Sequence, residues 1–204
     1  MILGVDDGTL CRHQLQTTNR RLMIPNPIAL QRLLSQRLVL SNFHRPEEVV
    51  NWLGVVQAQD YAGGKWTIGL RAPGLVEADV EQAVRDRRIL RTWTLRGTLH
   101  FVCAQDIRWM LGLMAPRVIA GNARRYRELE LDEADMRRAS DMLADALRDG
   151  QELLRSQLLD VLSRQGVSTQ GQRAPYLLQR ASLDGWICQT GVRWPGLLQI
   201  LQGV

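Results

Sequence analysis

ILRTWTLRGTLHFV, residues 89–102, is the most strand-like segment of this chain. Apolar and aromatic side chains fill most of its positions, threonines lie between them, and Arg96-Gly97 stands in the middle. Aromatic residues and threonine favour β-strands, whereas a glycine within such a run indicates a bend or turn. The segment therefore predicts two short strands that are joined near Gly97.

Helical periodicity surrounds this hairpin on both sides. Apolar residues recur at spacings of three and four positions, which places them on one face of a helix. Pro116 is expected to kink or divide the long helix that contains it, because proline removes a helical hydrogen bond. The glycine pair in AGGKW, residues 62–66, predicts a loop or sharp turn instead. The predicted helices are 30–38, 46–57, 79–87, 106–130, 132–148, 153–164 and 174–183.

The end of the chain has a recognisable order of elements. Its helices are followed by a turn at Asp184-Gly185 and by a candidate strand at residues 186–188. Three short helices, a turn and a strand form the winged-helix arrangement, whose third helix usually enters the major groove of DNA. Residues 30–102 have the same order less clearly, although any small helical bundle with a hairpin would also produce it. We therefore predict a mainly α fold with small β-hairpins (α+β), arranged as tandem winged-helix units.

These patterns divide the chain into four regions. Residues 1–28 are polar and aperiodic, so we expect a disordered extension, or one added by a start codon assigned too far upstream. Residues 29–131 form the first predicted unit and residues 132–188 the second. Residues 189–204 form a divergent tail, and a frameshift would explain it.

Composition narrows the class of protein. The chain has 204 residues and a formal net charge of +5, and Lys65 is the only lysine among its 26 basic residues. Arginine binds phosphates and guanine edges through two hydrogen bonds, so a nucleic-acid partner is permitted. A GC-rich genome would produce the same arginine excess. No run of apolar residues is long enough to predict a membrane span.

The cysteines and the short motifs point away from bound cofactors. Three cysteines without CxxC spacing argue against a disulfide framework and a zinc site. They favour reduced thiols in the cytoplasm, at the nucleoid if the protein binds DNA. The sequence contains no glycine-rich phosphate loop and no HExxH motif, so we expect no metal and no organic cofactor.

Several segments carry a specific resemblance. Residues 36–66, 89–111, 115–132 and 183–188, which include VVQAQDY and RTWTLRGTLHFV, resemble the winged helix DNA-binding domain-containing family that includes the AlkZ-like DNA glycosylases. The resemblance implies double-stranded DNA as the partner. Characterised members remove alkylated bases and unhook interstrand crosslinks, whereas many others are known only as DNA-binding proteins. After Cys188 the family continues into a long C-terminal region, where this chain has QTGVRWPGLLQILQGV.

Three functions therefore remain open. The first is a DNA glycosylase that excises alkylated bases or unhooks crosslinks by attack of water on the N-glycosidic bond. The second is a non-catalytic winged-helix DNA-binding or regulatory protein. The third is an inactive fragment of a glycosylase gene, which the C-terminally incomplete resemblance suggests.

The catalytic motif of the family, glutamine, an apolar residue and glutamine, falls on Gln57-Ala58-Gln59. Glutamine is no general base at neutral pH, but its amide can orient a water molecule and its carbonyl dipole can face a cationic sugar. If the preceding helix ends near Gln57, an extended backbone directs Gln57 and Gln59 to one side and Ala58 to the other. Alternatively, a glutamine at a helix end caps backbone groups. Asp60 is a candidate for electrostatic support, or a helix cap.

Other polar residues are candidates for contacts with DNA. Arginines of the hairpin can follow the phosphate backbone, and a tryptophan after a glycine pair can stack on a base. Each group also has a structural interpretation, such as a soluble strand face, a tryptophan packed on the core or a cation at a helix end. The candidates are Lys65, Trp66, Arg91, Arg96, His100, Arg124, Arg125, Gln172 and Arg173.

Overall fold

The computed structural model describes residues 26–190 and 197–200. What the sequence predicts for residues 1–25, 191–196 and 201–204 lies outside the described residues, and this includes most of the N-terminal extension and of the divergent tail. The described part consists mainly of α-helices around one small β-sheet. This confirms the predicted α+β class.

The elements follow one another with short connections. None of the described helices has the length and apolar character that a membrane span requires. The helices are α1 (Pro27–Ser35), α2 (Pro46–Leu53), α3 (Tyr61–Gly69), α4 (Glu77–Arg85), α5 (Ile107–Glu128), α6 (Glu133–Ala146), α7 (Arg155–Arg164) and α8 (Arg173–Leu183). The strands are β1 (Val55–Gln57), β2 (Ile89–Trp93), β3 (Leu99–Cys103), β4 (Leu153–Leu154), β5 (Ile187–Gln189) and β6 (Leu197–Ile200).

The strands form one antiparallel sheet in the order β1-β3-β2-β5-β6-β4. Strands β2 and β3 form the predicted hairpin, with a single 3₁₀ turn at Leu95–Gly97 between them. On its other side β2 pairs with β5, where Arg91 lies opposite Gln189. The strands of the two predicted units therefore belong to one continuous sheet instead of separate hairpins.

Side chains on both faces of the hairpin are buried. Ile89 and Phe101 pack with α2, α3 and α4 on one face, whereas Leu90 and Val102 pack with α5 on the other. Successive strand residues point to opposite faces, so a slip of one residue would exchange the two sets. A third cluster joins α6, α7 and α8 to Ile187 of β5.

The segment that precedes the hairpin differs from its prediction. We expected a helix from Pro46 to near Gln57, but α2 ends at Leu53 and Gly54 follows with a φ of +75°. A positive φ is accessible to glycine because it has no Cβ. Val55, Val56 and Gln57 then pair with β3 as the edge strand of the sheet. Gln57, the first residue of the glutamine motif, is thus the last residue of a strand, and Ala58 and Gln59 follow it.

The predicted loop at residues 62–66 was wrong, because these residues lie in α3. Glycine is a poor helix former, so the sequence indicated a turn. A Cβ at Gly64 would lie 2.8 Å from the Phe101 ring and 3.1 Å from the Ala58 Cβ. The glycine therefore allows α3 to pack directly against the sheet, and this packing outweighs its low helix propensity.

Of the two effects expected of Pro116, the division of the helix is absent, since α5 continues through it from Ile107 to Glu128, and the kink stays a prediction. Buried residues on both sides of the proline, among them Leu111, Ala115 and Tyr126, pack against the rest of the protein. These contacts hold the helix together across the missing hydrogen bond.

The close packing of Gly64 leads to a stability prediction. We expect Gly64→Ala to lower the free energy of unfolding by about 1–3 kcal/mol, because the added methyl group overlaps Phe101 and Ala58. The measurement is urea denaturation followed by circular dichroism.

Gly69→Ala in the same helix is the matched control. Nothing lies within 4 Å of a Cβ at Gly69, so the variant should be as stable as the wild type or gain up to about 1 kcal/mol from helix propensity. Equal effects of the two substitutions would show that propensity, not packing, governs Gly64.

Candidate functional site

The glutamine motif lies at the edge of the sheet, where β1 ends. Gln57 lies opposite His100 of β3, and the Ala58 N–H donates to the Leu99 carbonyl at 2.9 Å. Ala58 is fully buried, while Gln57 and Gln59 are exposed. The extended backbone thus separates the glutamines from the alanine as we expected, although a strand and not a helix end produces this alternation.

The two glutamines differ in what they contact. The Gln59 Oε1 accepts a hydrogen bond from the Leu99 N–H at 3.1 Å, so this side chain continues the pairing of β1 with β3. Within residues 26–190 and 197–200, the Gln57 amide makes no hydrogen bond to the protein. Gln57 is therefore free to bind water or a ligand, and Gln59 is held in one orientation.

Asp60 caps the helix that follows the motif. Its Oδ1 accepts a hydrogen bond from the Ala62 N–H at 3.1 Å, and its carboxylate is exposed. Asp60 is therefore the N-cap of α3, which is one of the two roles that the sequence suggested for it. The negative charge still lies next to the motif, so electrostatic support from Asp60 stays a prediction.

A small cavity opens beside Gln59, between the β2–β3 hairpin and helices α7 and α8. It has a volume of about 230 Å³ and lies between Gln59, Trp93 and Leu99 on one side and Arg155, Pro175 and Leu178 on the other. From the sequence, Trp93 is predicted only as a strand residue, and Arg155 and Pro175 have no predicted role. No local pattern signals them, because only the packing of α7 and α8 near β2 brings them together.

The tip of the hairpin lies at the same end of the sheet as the motif. Arg96 is exposed there with a φ of +55°. The Gln179 Nε2 donates to the Gly97 carbonyl at 2.9 Å, and the Asn122 Nδ2 donates to the Gln179 Oε1 at 2.7 Å. These bonds attach the tip to α8 and α5, so Arg96 is an exposed cation on a fixed turn.

The other two hairpin candidates are buried, which corrects their assignment to DNA. Arg91 is only 4% exposed and donates hydrogen bonds to the Ala58 carbonyl and to Gln189. His100 is buried, and its Nδ1–H donates to the Thr98 carbonyl at 3.0 Å. Burial lowers the pKa of His100, which outweighs the opposing effect of this hydrogen bond. Both side chains therefore stabilise the interior.

Lys65 is corrected in the same way. It is 9% exposed, and its Nζ binds Glu77 and, at 2.8 Å, Glu81. Burial lowers the pKa of Lys65, but the hydrogen bonds with the two carboxylates raise it more, and the net pKa lies above its ordinary value. Its charge is neutralised inside the protein. The neighbouring Trp66 is 70% exposed, so its ring remains available to a ligand.

The basic cluster at the end of α5 is on the surface. Arg124 and Arg125 both bind the Glu128 carboxylate, at 2.8 Å and 2.9 Å. Hydrogen bonds from Arg125 and Arg124 hold the pKa of Glu128 below its ordinary value. One carboxylate for two guanidinium groups leaves this surface positively charged.

Helix α8, the predicted recognition helix, is buried over its C-terminal part, whereas its first turn is partly exposed, and its entry into the major groove stays a prediction. Its residues from Leu177 to Leu183 are all buried. Arg173 donates to the carbonyls of Glu130, at 3.0 Å, and Ser168, at 3.1 Å, and is thus a structural link. Gln172 is exposed just before the helix.

The chain is similar to known proteins in sequence and in structure. A family model described as DNA glycosylase AlkZ-like matches residues 50–196. The solved structure of Streptomyces sahachiroi DNA glycosylase AlkZ matches with a TM-score of 0.71 and 22% sequence identity, over 83% of this chain and 47% of that chain. The chain thus spans about half the length of that protein, with which it shares the fold. No match was found among curated protein sequences.

Burial of His100 leads to a pH prediction. Its pKa is lower in the folded protein than the value of about 6.5 in the unfolded chain. Below that value the unfolded chain binds the additional proton, so the stability of the folded state decreases as pH falls toward the folded pKa. We expect this decrease, at most about 1.4 kcal/mol per pH unit, to be smaller in His100→Gln. Urea titrations between pH 8 and pH 5 measure it.

His44→Gln is the control, because His44 is an exposed histidine of the same protein. This variant measures what the loss of a histidine outside the core does to the same curve. A wild-type and a His100→Gln curve that run parallel below pH 6.5 would contradict the prediction.

Proposed function

Because the chain belongs to the AlkZ-like DNA glycosylase family, we propose that it binds double-stranded DNA and cleaves the N-glycosidic bond of alkylated bases or of interstrand crosslinks. The observation that carries this proposal is the pair of exposed amides, Gln57 and Gln59, on one side of an extended segment that Ala58 holds in the core. The exposed Arg96 and a small cavity lie at the same end of the sheet.

The chemistry requires a positioned water and a stabilised cation. Cleavage of an N-glycosidic bond passes through an oxocarbenium-like sugar, which water attacks at the anomeric carbon. Gln57 has no hydrogen bond within the described part of the chain, so its carbonyl and NH₂ groups can bind this water together. Gln59 is held by Leu99, and its remaining lone pair and NH₂ group can contact the same water or the sugar. The carboxylate of Asp60 adds negative charge that favours the cationic sugar.

The site favours substrates with a good leaving group. Neither glutamine can protonate a departing base, and His100 is buried with a lowered pKa, so it is a poor proton donor at neutral pH. A cationic N7-alkylpurine leaves without prior protonation. We therefore propose this class of lesion as the substrate.

Contacts with DNA would come from the exposed candidates. Arg96 on the fixed hairpin tip can enter a groove or bind a phosphate, and Trp66 can stack on an unpaired base. Arg124, Arg125 and Gln172 supply further polar contacts. We further propose that the chain is organised as tandem winged-helix units. In this arrangement the β2–β3 hairpin, and not α8, is the element nearest to DNA.

One observation supports a second function, a non-catalytic DNA-binding protein. The hydrogen bond from Leu99 to Gln59 shows that this glutamine also completes the edge of the sheet. A glutamine that serves only this purpose would be found in a chain that binds DNA without cleaving it. An inactive glycosylase fragment would have the same property.

Base release distinguishes these functions. We expect single-turnover release of N7-methylguanine from duplex DNA by the wild type, and rate constants reduced by about 100-fold in Gln57→Ala and Gln59→Ala. Duplex affinity should change little in either variant, because the amides act on the reacting sugar.

Gln105→Ala is the matched control for this experiment. Gln105 is an exposed glutamine that follows the opposite end of β3, so its loss should leave the rate unchanged. A folded wild type that binds duplex DNA and releases no base would overturn the enzymatic proposal and leave the non-catalytic one.

The salt dependence of DNA binding separates the exposed from the buried cations. Arg96→Gln should weaken duplex binding and reduce the slope of log K against log salt by about one, because one phosphate contact is lost. Lys65→Met should leave this slope unchanged, since the Lys65 ammonium is bound to two carboxylates. The measurement is fluorescence anisotropy between low and moderate salt. A reduced slope in Lys65→Met and an unchanged slope in Arg96→Gln would instead identify Lys65, and not Arg96, as the phosphate ligand.

A further inference from the structure

Arg91 is a buried cation directly beside the glutamine motif. It lies in the middle of β2 and is 4% exposed. Its Nε donates to the Ala58 carbonyl at 2.9 Å, and its Nη2 donates to the same oxygen at 2.8 Å and to the Gln59 carbonyl at 3.3 Å. A guanidinium is costly to bury unless its donors are satisfied, so this geometry commits Arg91 to the backbone of the motif.

The motif is held from two sides. On the side of β3, the Ala58 N–H binds the Leu99 carbonyl and the Leu99 N–H binds the Gln59 side chain. On the other side, Arg91 binds the carbonyls of Ala58 and Gln59. These contacts fix both the main chain and the side chain of Gln59 while the amide stays exposed.

Arg91 is itself held by aromatic and polar neighbours. Its Cζ lies 5.4 Å from the centre of the Tyr61 ring, and that ring packs edge-on against Phe101. Its Nη1 donates to the Oε1 of Gln189, a buried residue of β5. The side chain thus connects the motif to a strand nearly a hundred residues later in the chain.

We propose that Arg91 is a positioning residue for base release: it contacts no substrate, and it acts by fixing the Gln59 amide through the carbonyls of Ala58 and Gln59. This inference rests on the function proposed above. It adds a residue to the reaction that is neither part of the glutamine motif nor exposed to DNA. Because Gln189 accepts a hydrogen bond from Arg91, strand β5 also supports the site.

Arg91→Lys is the test variant, because lysine keeps the charge but cannot span both carbonyls. We expect the single-turnover rate constant at saturating protein to fall by about 10- to 100-fold, while the Kd for duplex DNA changes less than about twofold. Arg71→Lys is the matched control. Arg71 is also buried, at 8% exposure, and also donates to backbone carbonyls, those of Gln36 and Thr67, but it lies away from the motif. Its replacement should leave the rate unchanged.

A double-mutant comparison separates positioning from a general loss of structure. If Arg91 acts through Gln59, then Arg91→Lys has no further effect on the rate in a Gln59→Ala background. The same substitution still reduces the rate in a Gln57→Ala background. Equal and independent losses in both backgrounds, or the same loss in Arg71→Lys, would overturn the inference.

Amide hydrogen exchange tests the inference without activity. The Leu99 N–H, which binds Gln59, should exchange about tenfold faster in Arg91→Lys, whereas Phe101 in the same strand keeps its wild-type rate. Unchanged exchange at Leu99 overturns the positioning role. A wild type that releases no base overturns the proposed function instead, and the exchange data then still decide whether Arg91 fixes Gln59.

A second variant covers the case in which Arg91→Lys does not fold. Gln189→Met keeps the guanidinium and removes the hydrogen bond from its Nη1 to the Gln189 Oε1. Exchange at Leu99 should then increase severalfold, because Arg91 has lost the bond that holds its outer end. No increase in this variant would also overturn the inference.

Discussion

The antiparallel pairing of β2 with β3 and with β5 is the constraint on which the rest of the structure depends. Strand β3 is buried along its whole length, and β2 along all but its last residue. Helices cover both faces of this hairpin, so the register of every neighbouring strand follows from which side chains each face can accept. The pairing of Arg91 with Gln189 then extends the same sheet into the C-terminal half.

The site is a consequence of that sheet. Strand β1 adds to the free edge of β3, which places Gln57 opposite His100 and buries Ala58 under α3. Gly64 allows the close approach of α3, and Asp60 caps its first turn. An exposed pair of amides results where β1 ends, Gln57 on the strand and Gln59 just after it, at the end of the sheet where the hairpin tip presents Arg96. Rigid elements hold reacting groups more accurately than loops do, which agrees with a role in orienting water.

Basic side chains bound within the protein are its second characteristic feature. Lys65 and Arg91 were predicted to contact DNA, yet both are buried and bound to carboxylates or backbone carbonyls. Arg173 is only partly buried, and it also binds backbone carbonyls. Long basic side chains bury their stems and bring several donors to otherwise unsatisfied acceptors. The strand alternation in ILRTW, residues 89–93, indicated that Arg91 is buried, because it places Arg91 on the same face as the apolar Ile89 and Trp93. The positive surface that remains is formed by residues such as Arg96 and Arg124.

Local sequence determined the helices with clear periodicity and the β2–β3 hairpin, because these depend on neighbours only a few residues away. Tertiary structure alone decided that AGGKW is helical, since the contact of Gly64 with Phe101 outweighs the low helix propensity of glycine. It also decided that α8 is buried and that Arg91 binds the motif. Partners nearly a hundred residues apart, such as Arg91 and Gln189, meet only when the sheet closes, and no spacing within one segment records their contact.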